Sequence, residues 1–204
     1  MQKIVLATNN QHKAAEIKFM LDNLPLQILT ADDFENFPDV EETGKTLEEN
    51  AYLKARAIQE FTGLPSVADD SGLEVPVLNG APGVHSARYA GPGCSFEDNN
   101  KKLLSELEGI PEQDRKAVFR CVIAICFDKD DCQHVEGKVS GTITTETAGE
   151  NGFGYDPVFY HPFYKKTLAE LPPEEKNKIS HRALAINKAK ELLIEKYELA
   201  VADE

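Results

Sequence analysis

Three stretches of this sequence combine residue types that can do chemistry. Ala7-Thr8-Asn9-Asn10-Gln11-His12-Lys13 lies between a short apolar run and a helix-like segment. A helix N-terminus offers unpaired N–H groups and a positive dipole end, which suit phosphate; Thr and Asn add donors and Lys13 adds a charge. The stretch lacks the glycines of a Walker loop or a dinucleotide fingerprint, and plain capping is its ordinary reading. Asp69-Asp70 follows a second apolar run, and adjacent residues of a strand point to opposite faces, so one carboxylate faces a given site. Such oxygens suit Mg²⁺, which takes one or two carboxylates plus substrate phosphates; Glu41 or Glu42 is a candidate second ligand. Asp-Ser-Gly is equally common as a turn. Gly152-Phe153-Gly154-Tyr155-Asp156-Pro157 sets an aromatic between glycines, so that backbone can approach a ligand while the ring stacks, or it forms a turn around a core aromatic. Ser180-His181-Arg182 opens a helix, either as a cap with two exposed residues or as a pair able to grip a base edge, where Arg is the bidentate partner.

Those residues need elements to hold them. Lys3–Ala7 reads as a buried strand, followed by a helix over Lys13–Leu24 that Pro25 ends, and by a second strand over Leu26–Thr30. Asp32–Gly44 is an acidic loop. Thr46-Leu47-Glu48-Glu49 has capping-box form, and the helix it opens is stopped by Gly63. Leu47, Ala51, Ala55 and Ile58 make its apolar face, while Asn50 and Lys54 share another. Ser66–Ala68 predicts a strand ending in a turn at Asp69-Asp70-Ser71-Gly72. Gly80–Gly93 is a structured loop, and Ser95 caps a helix from Phe96 to Glu108. Ala117–Phe127 predicts a central strand, joined by an Asp128–Asp131 turn to a strand His134–Ser140, with Thr142–Thr147 as a further one. Ser180 then caps a long helix to about Tyr197. This order predicts a mixed-sheet α/β fold with two lobes and no separable linker, so residues 1–204 form a single domain.

The 204 residues carry 22 Lys+Arg against 35 Asp+Glu, a formal net charge of −13. That is a poor surface for a nucleic-acid backbone, and no basic amphipathic stretch suits a membrane surface. No apolar run approaches the roughly 20 residues of a bilayer span. The first ten residues turn polar too early for a signal peptide, so the expectation is a cytoplasmic protein. A single nucleotide is not excluded by the charge, because surface carboxylates beyond a Debye length of about 8 Å are screened. Of the cysteines, Cys126 and Cys132 could meet across a hairpin as a disulfide, but free thiols are the expectation for a cytosolic chain.

Together these segments resemble the inosine triphosphate pyrophosphatase family, the non-canonical purine NTP pyrophosphatases. The resemblance runs in order through Ala7–Asn10 with Lys13; Glu42-Thr43-Gly44 with Glu49-Asn50-Ala51 and Leu53-Lys54-Ala55; Ala68–Leu73; Gly80–Gly83 with Ser86–Tyr89; Gly152–Pro157; and Lys176 with Ile179–Arg182. It implies an elongated mixed β-sheet flanked by helices, two lobes with the active site in a cleft between them, and a homodimer. It implies Mg²⁺-dependent hydrolysis of ITP, dITP and XTP to the monophosphate and pyrophosphate. Thr8, Asn9, Asn10, Gln11, His12, Lys13 and Lys54 would hold the triphosphate. Glu42 and Asp70 would bind the metal, with Asp70 the proton acceptor and Ser71 touching substrate. Phe153, Gly154, Tyr155, Asp156, Lys176, His181 and Arg182 would surround the base and the nearby sugar or phosphate. Thr147 and the acidic end Leu199–Glu204 depart from that pattern without touching a motif position. Two other readings stay open: a related pyrophosphatase acting on dTTP, UTP or modified pyrimidines, and a nucleotide-binding regulator without turnover.

Overall fold

The computed structural model describes residues 1–199; apart from Leu199, the acidic end lies outside them. The chain runs β1 (Gln2–Leu6), α1 (Gln11–Leu21), β2 (Leu26–Leu29), α2 (Leu47–Thr62), β3 (Ser66–Glu74), β4 (Pro82–Gly83), α3 (Phe96–Glu106), β5 (Lys116–Cys126), β6 (Cys132–Ile143), β7 (Phe159–His161), β8 (Lys166–Thr167), α4 (Pro173–Ile179) and α5 (His181–Tyr197). The strands form one sheet in the order β2-β1-β3-β5-β6-β7-β8, with β4 paired to β3. β1 runs parallel to β2 and to β3, whereas β7 is antiparallel to β6 and to β8. The sheet is therefore mixed, as expected.

The chain divides into two compact units. The first comprises Met1–Asp70, Cys121–Gly137 and the chain from Arg182 onward. Its core packs Ile4 and Leu6 of β1, Ile17 and Leu21 of α1, Ile123 and Ile125 of β5, and Ile186 and Leu193 of α5. The second comprises Ser71–Arg120 and Lys138–His181, with Leu103, Leu107, Val158, Phe159 and Leu168 fully buried. β3, β5 and β6 each give residues to both units.

Local chemistry explains the two helices that matter most below. Asn10 starts α1: its backbone is extended and its side-chain oxygen accepts the N–H groups of His12 and Lys13. The helix thus begins two residues before the sequence suggests. Thr46 caps α2, its hydroxyl accepting the Glu49 N–H at 3.1 Å. The reciprocal half of the box is displaced by one residue, since the Glu49 carboxylate accepts from Lys45 N–H. Gly63, with φ +65°, ends the helix.

Three expectations change. Asp69-Asp70-Ser71-Gly72 is not a turn: β3 continues through it to Glu74, because Leu73 and Glu74 pair with β4 and Ser86 Oγ accepts the Leu73 N–H. Of the two strands expected after the Asp128 turn, the first runs unbroken through Gly141 as β6 and ends at Ile143, so residues 144–147 of the second lie outside any strand. A Cβ at Gly141 would run into the Tyr160 carbonyl and the Phe159 ring, so glycine is what lets β7 lie so close. Finally, Cys126 and Cys132 form a disulfide across the β5–β6 turn rather than remaining thiols. The turn brings them together: Phe127 N–H donates to the Asp131 carbonyl and Asp128 Oδ1 accepts from Asp130 and Asp131 N–H. Closing so short a loop stabilises by about 2 kcal/mol. Reduction is expected to lower Tm by roughly 4–8 °C. Thermal unfolding with and without dithiothreitol measures this. An unchanged Tm would mean that the Lys196–Asp131 ion pair and the Phe127–Tyr197 contact hold the turn unaided.

Candidate active site

β3 delivers two carboxylates with different surroundings. On one side, α2 presents Asn50 and Lys54, one turn apart, to Asp70. Lys54 Nζ lies 2.6 Å from Glu42 Oε1 and 3.6 Å from Asp70 Oδ1, and it donates to the Asp69 carbonyl at 2.7 Å. Asn50 Nδ2 donates to Asp70 Oδ2 at 3.1 Å. Burial is the main reason the Asp70 pKa is raised from its ordinary value; Lys54 opposes the shift and Glu42 adds to it. Lys54 itself stays firmly protonated, because Asp70, Asp69 and Glu42 together outweigh its own burial.

Asp69 faces other partners. Its Oδ2 receives Lys13 Nζ at 3.0 Å and Arg182 Nε at 3.3 Å. Arg182 Nη1 also meets Glu16 Oε2 at 2.6 Å. Burial alone would raise the Asp69 pKa, but Lys13, Arg182 and Lys54 draw it well below the carboxylate range. Arg182 is only 3% exposed, and its Nε and Nη1 point at carboxylates of its own unit. These pairs hold the guanidinium in place within the first unit.

The loop before α1 is organised chiefly as a cap. Thr8 Oγ1 accepts the Asn10 N–H, and Asn10 Oδ1 takes two of the helix N–H groups that suit a phosphate. Asn9 is exposed and donates to Asp39 Oδ1. Gln11 and His12 are exposed in the first turn, whereas Lys13 turns inward to Asp69. A cavity of about 310 Å³ lined by Thr8, Asn9, Gln11, Lys18, Thr30 and Asp32 lies along this end of the helix.

The second unit holds the remaining candidates. Ser71 is half-buried on β3. Asp156 Oδ2 accepts both the Phe153 N–H at 2.8 Å and Lys176 Nζ at 2.7 Å, closing the glycine-rich loop around a buried ion pair. The Lys176 ammonium lies 4.8 Å from the Phe153 ring centre, a cation–π contact. Gly152 has φ +77°, and a Cβ there would collide with the Asp156 carboxylate. Gly154 O accepts from Asn100 Nδ2, and Tyr155 Oη donates to the Ser86 carbonyl, so both anchor the loop. His181 stacks on Phe119 with the rings 4.5 Å apart and nearly parallel.

The predicted residues thus assemble as two groups, each inside its own unit: Lys13, Glu42, Lys54, Asp70 and Arg182 in the first, Phe153–Asp156 with Lys176 in the second. Asn50 and Glu16 are not among the residues the sequence singles out, and neither is the Asp69 carboxylate's pairing with Lys13 and Arg182. For Asn50 the signal existed, four residues before Lys54 on the same helical face. Among the described residues no group of three or more His, Cys, Asp or Glu could hold a metal. Glu42 and Asp70 nevertheless form an oxygen-only pair bridged by one ammonium. That fits a hard cation completed by phosphates and water, and it does not suit zinc.

The chain is similar to known proteins along most of its length. The model of the Ham1 family matches residues 4–192. A dITP/XTP pyrophosphatase of Thermoanaerobacter pseudethanolicus is 50% identical over 96% of this chain and 98% of its own. One from Desulforamulus reducens is 52% identical over 94% and 95%. Among solved structures, a HAM1 protein from Coxiella burnetii superposes with a TM-score of 0.90 at 45% identity, covering 96% of this chain and all of that one.

Proposed function

The chain belongs to the Ham1 family, and we propose that it hydrolyses non-canonical purine nucleoside triphosphates (ITP, dITP and XTP) to the monophosphate and pyrophosphate. The observation that carries this reading is the Glu42–Lys54–Asp70 arrangement, two carboxylates and a cation next to Asp69, which pairs with Lys13 in the first turn of α1. The reading includes Mg²⁺ as cofactor, a homodimer and a cytoplasmic setting, all carried over from the family pattern.

Glu42 and Asp70 are the residues that would hold Mg²⁺, which when bound shields phosphate oxygens and acidifies a water. Water oxygen attacks the α-phosphorus and the bond from that phosphorus to the α–β bridging oxygen breaks. The water proton passes to the Asp70 carboxylate, whose raised pKa suits it as a base. Lys13 and Lys54 balance the charge on the departing pyrophosphate. Asp69 fixes Lys13 and, through its own backbone carbonyl, Lys54.

Base choice follows from donors. Hypoxanthine and xanthine present a 6-oxo acceptor where adenine presents an amino donor. The donors this reading assigns are Arg182 and Lys176, the latter set over the Phe153 ring by Asp156. A donor aimed at the 6-position loses one hydrogen bond and faces another donor when adenine binds, a loss of about 1–3 kcal/mol. We therefore expect ITP to be hydrolysed at least about tenfold faster than ATP. The assay incubates the protein with Mg²⁺ and ITP, dITP, XTP, ATP, GTP or dTTP and separates pyrophosphate from orthophosphate. Orthophosphate as the first product, or equal rates on ITP and ATP, would overturn the reading.

A further inference from the structure

We propose that Asn50 is a positioning residue that holds Glu42 and Asp70 as one preformed pair of oxygen ligands, an inference that rests on reading those two as the metal-binding residues. Asn50 is completely buried on α2, within the stripe of Leu47, Ala51, Ala55 and Ile58. A carboxamide in an apolar stripe is costly unless both of its ends are satisfied. Here both are. Asn50 Oδ1 accepts the Gly44 N–H at 2.7 Å, and Nδ2 donates to Asp70 Oδ2 at 3.1 Å. Only one amide orientation works, because a carboxylate can only accept and a backbone N–H can only donate.

This one side chain therefore ties two distant segments together. Gly44 lies two residues after Glu42, and Asp70 lies on β3. Gly44 is small for a local reason: a Cβ there would sit 2.6 Å from Asn50 Oδ1 and 2.7 Å from Glu49 Cβ. Lys54, one turn along α2, contacts the same two carboxylates through charge. A cation entering the pair competes with that ammonium. Asn50 itself carries no charge and its two bonds lie on Asp70 Oδ2 and on the Gly44 backbone, so they hold the carboxylates in place while Oδ1 changes partner.

The test compares Asn50→Ala, Gly44→Ala and Thr46→Val. Gly44→Ala presses on the amide from the opposite side and leaves Asn50 in the chain, so it answers the question even where Asn50→Ala does not fold. Thr46→Val removes the helix cap without touching either amide bond. The probe is Mn²⁺ alone, its free fraction read by electron paramagnetic resonance, with circular dichroism confirming the fold. Asn50→Ala and Gly44→Ala are expected to weaken Mn²⁺ binding about 10- to 100-fold and to raise the Mg²⁺ concentration for half-maximal rate in parallel. Thr46→Val is expected to lower Tm and keep Mn²⁺ affinity. Binding by Asn50→Ala or Gly44→Ala equal to wild type, or an equal loss in Thr46→Val, overturns the inference while the metal reading stands. Full turnover in excess EDTA overturns the metal reading itself.

Discussion

Asp70→Asn is expected to cut turnover of dITP by about 10²- to 10⁴-fold, the usual contribution of a positioned proton acceptor, while the protein keeps its fold. The substitution is close to isosteric. The Asp70 carboxyl is buried, and burial raises its pKa, so the native state is penalised for carrying the charge. A neutral carboxamide removes that penalty. Lys54 keeps Glu42 at 2.6 Å and the Asp69 carbonyl at 2.7 Å as partners. Tm is therefore expected to hold or rise as activity falls. Steady-state rates of pyrophosphate release, with a melting curve on the same sample, check both halves. A rate within about tenfold of wild type would remove Asp70 from the chemistry.

Asp69→Asn is expected to do the reverse and damage stability first. Asp69 is 1% exposed, and its Oδ2 is shared by Lys13 and Arg182. Removing one member of a buried ion pair typically costs 3–5 kcal/mol, because its partners are left charged in a poor solvent. Arg182 retains Glu16, so we expect the lower end, about 3 kcal/mol at pH 7. The sign of the pH dependence follows from the depressed pKa of Asp69. Its contribution is fully present above the unfolded value near 3.9 and is lost as pH falls toward the folded value. The gap between wild type and variant is thus widest at neutral pH and closes below about pH 4. Urea unfolding at pH 7 and pH 3 measures it. A gap that is the same at both would show that the ionised carboxylate is not its source.

Much of the first unit is legible because its signals are local. The Thr46 cap and the Gly63 stop bracket α2 within one helix, and the spacing of Asn50 and Lys54 puts both on one face. Their shared destination is not legible, since Asp70 lies 20 residues beyond Asn50. The Arg182–Glu16 pair spans 166 residues, and no periodicity carries that. This is why the sequence shows Arg182 as a candidate contact but not its buried ion pairs with Asp69 and Glu16. The turn at Asp69–Gly72 is misread for a related reason: Ser and Gly favour turns locally, but pairing with β4 keeps them extended. In the second unit, the pair of glycines around Phe153 is visible in the sequence, whereas the Asp156–Lys176 pair that shapes the loop is not.

The carboxylates and cations around β3 have an electrostatic consequence of their own. Glu16, Glu42, Asp69 and Asp70 are interleaved with Lys13, Lys54 and Arg182, so negative charge already matches or exceeds positive charge before any ligand arrives. A groove lined with unopposed lysines attracts any polyanion and loses affinity steeply with salt as counterions return. A self-compensated cluster has no such surplus to release. On the Mg²⁺ reading proposed above, its attraction for a triphosphate would depend on the divalent ion that travels with the phosphates, and on short contacts that ionic strength screens poorly. Selection by charge would thereby become selection for a metal-paired nucleotide over free polyphosphate or nucleic acid, in a chain whose formal net charge is −13.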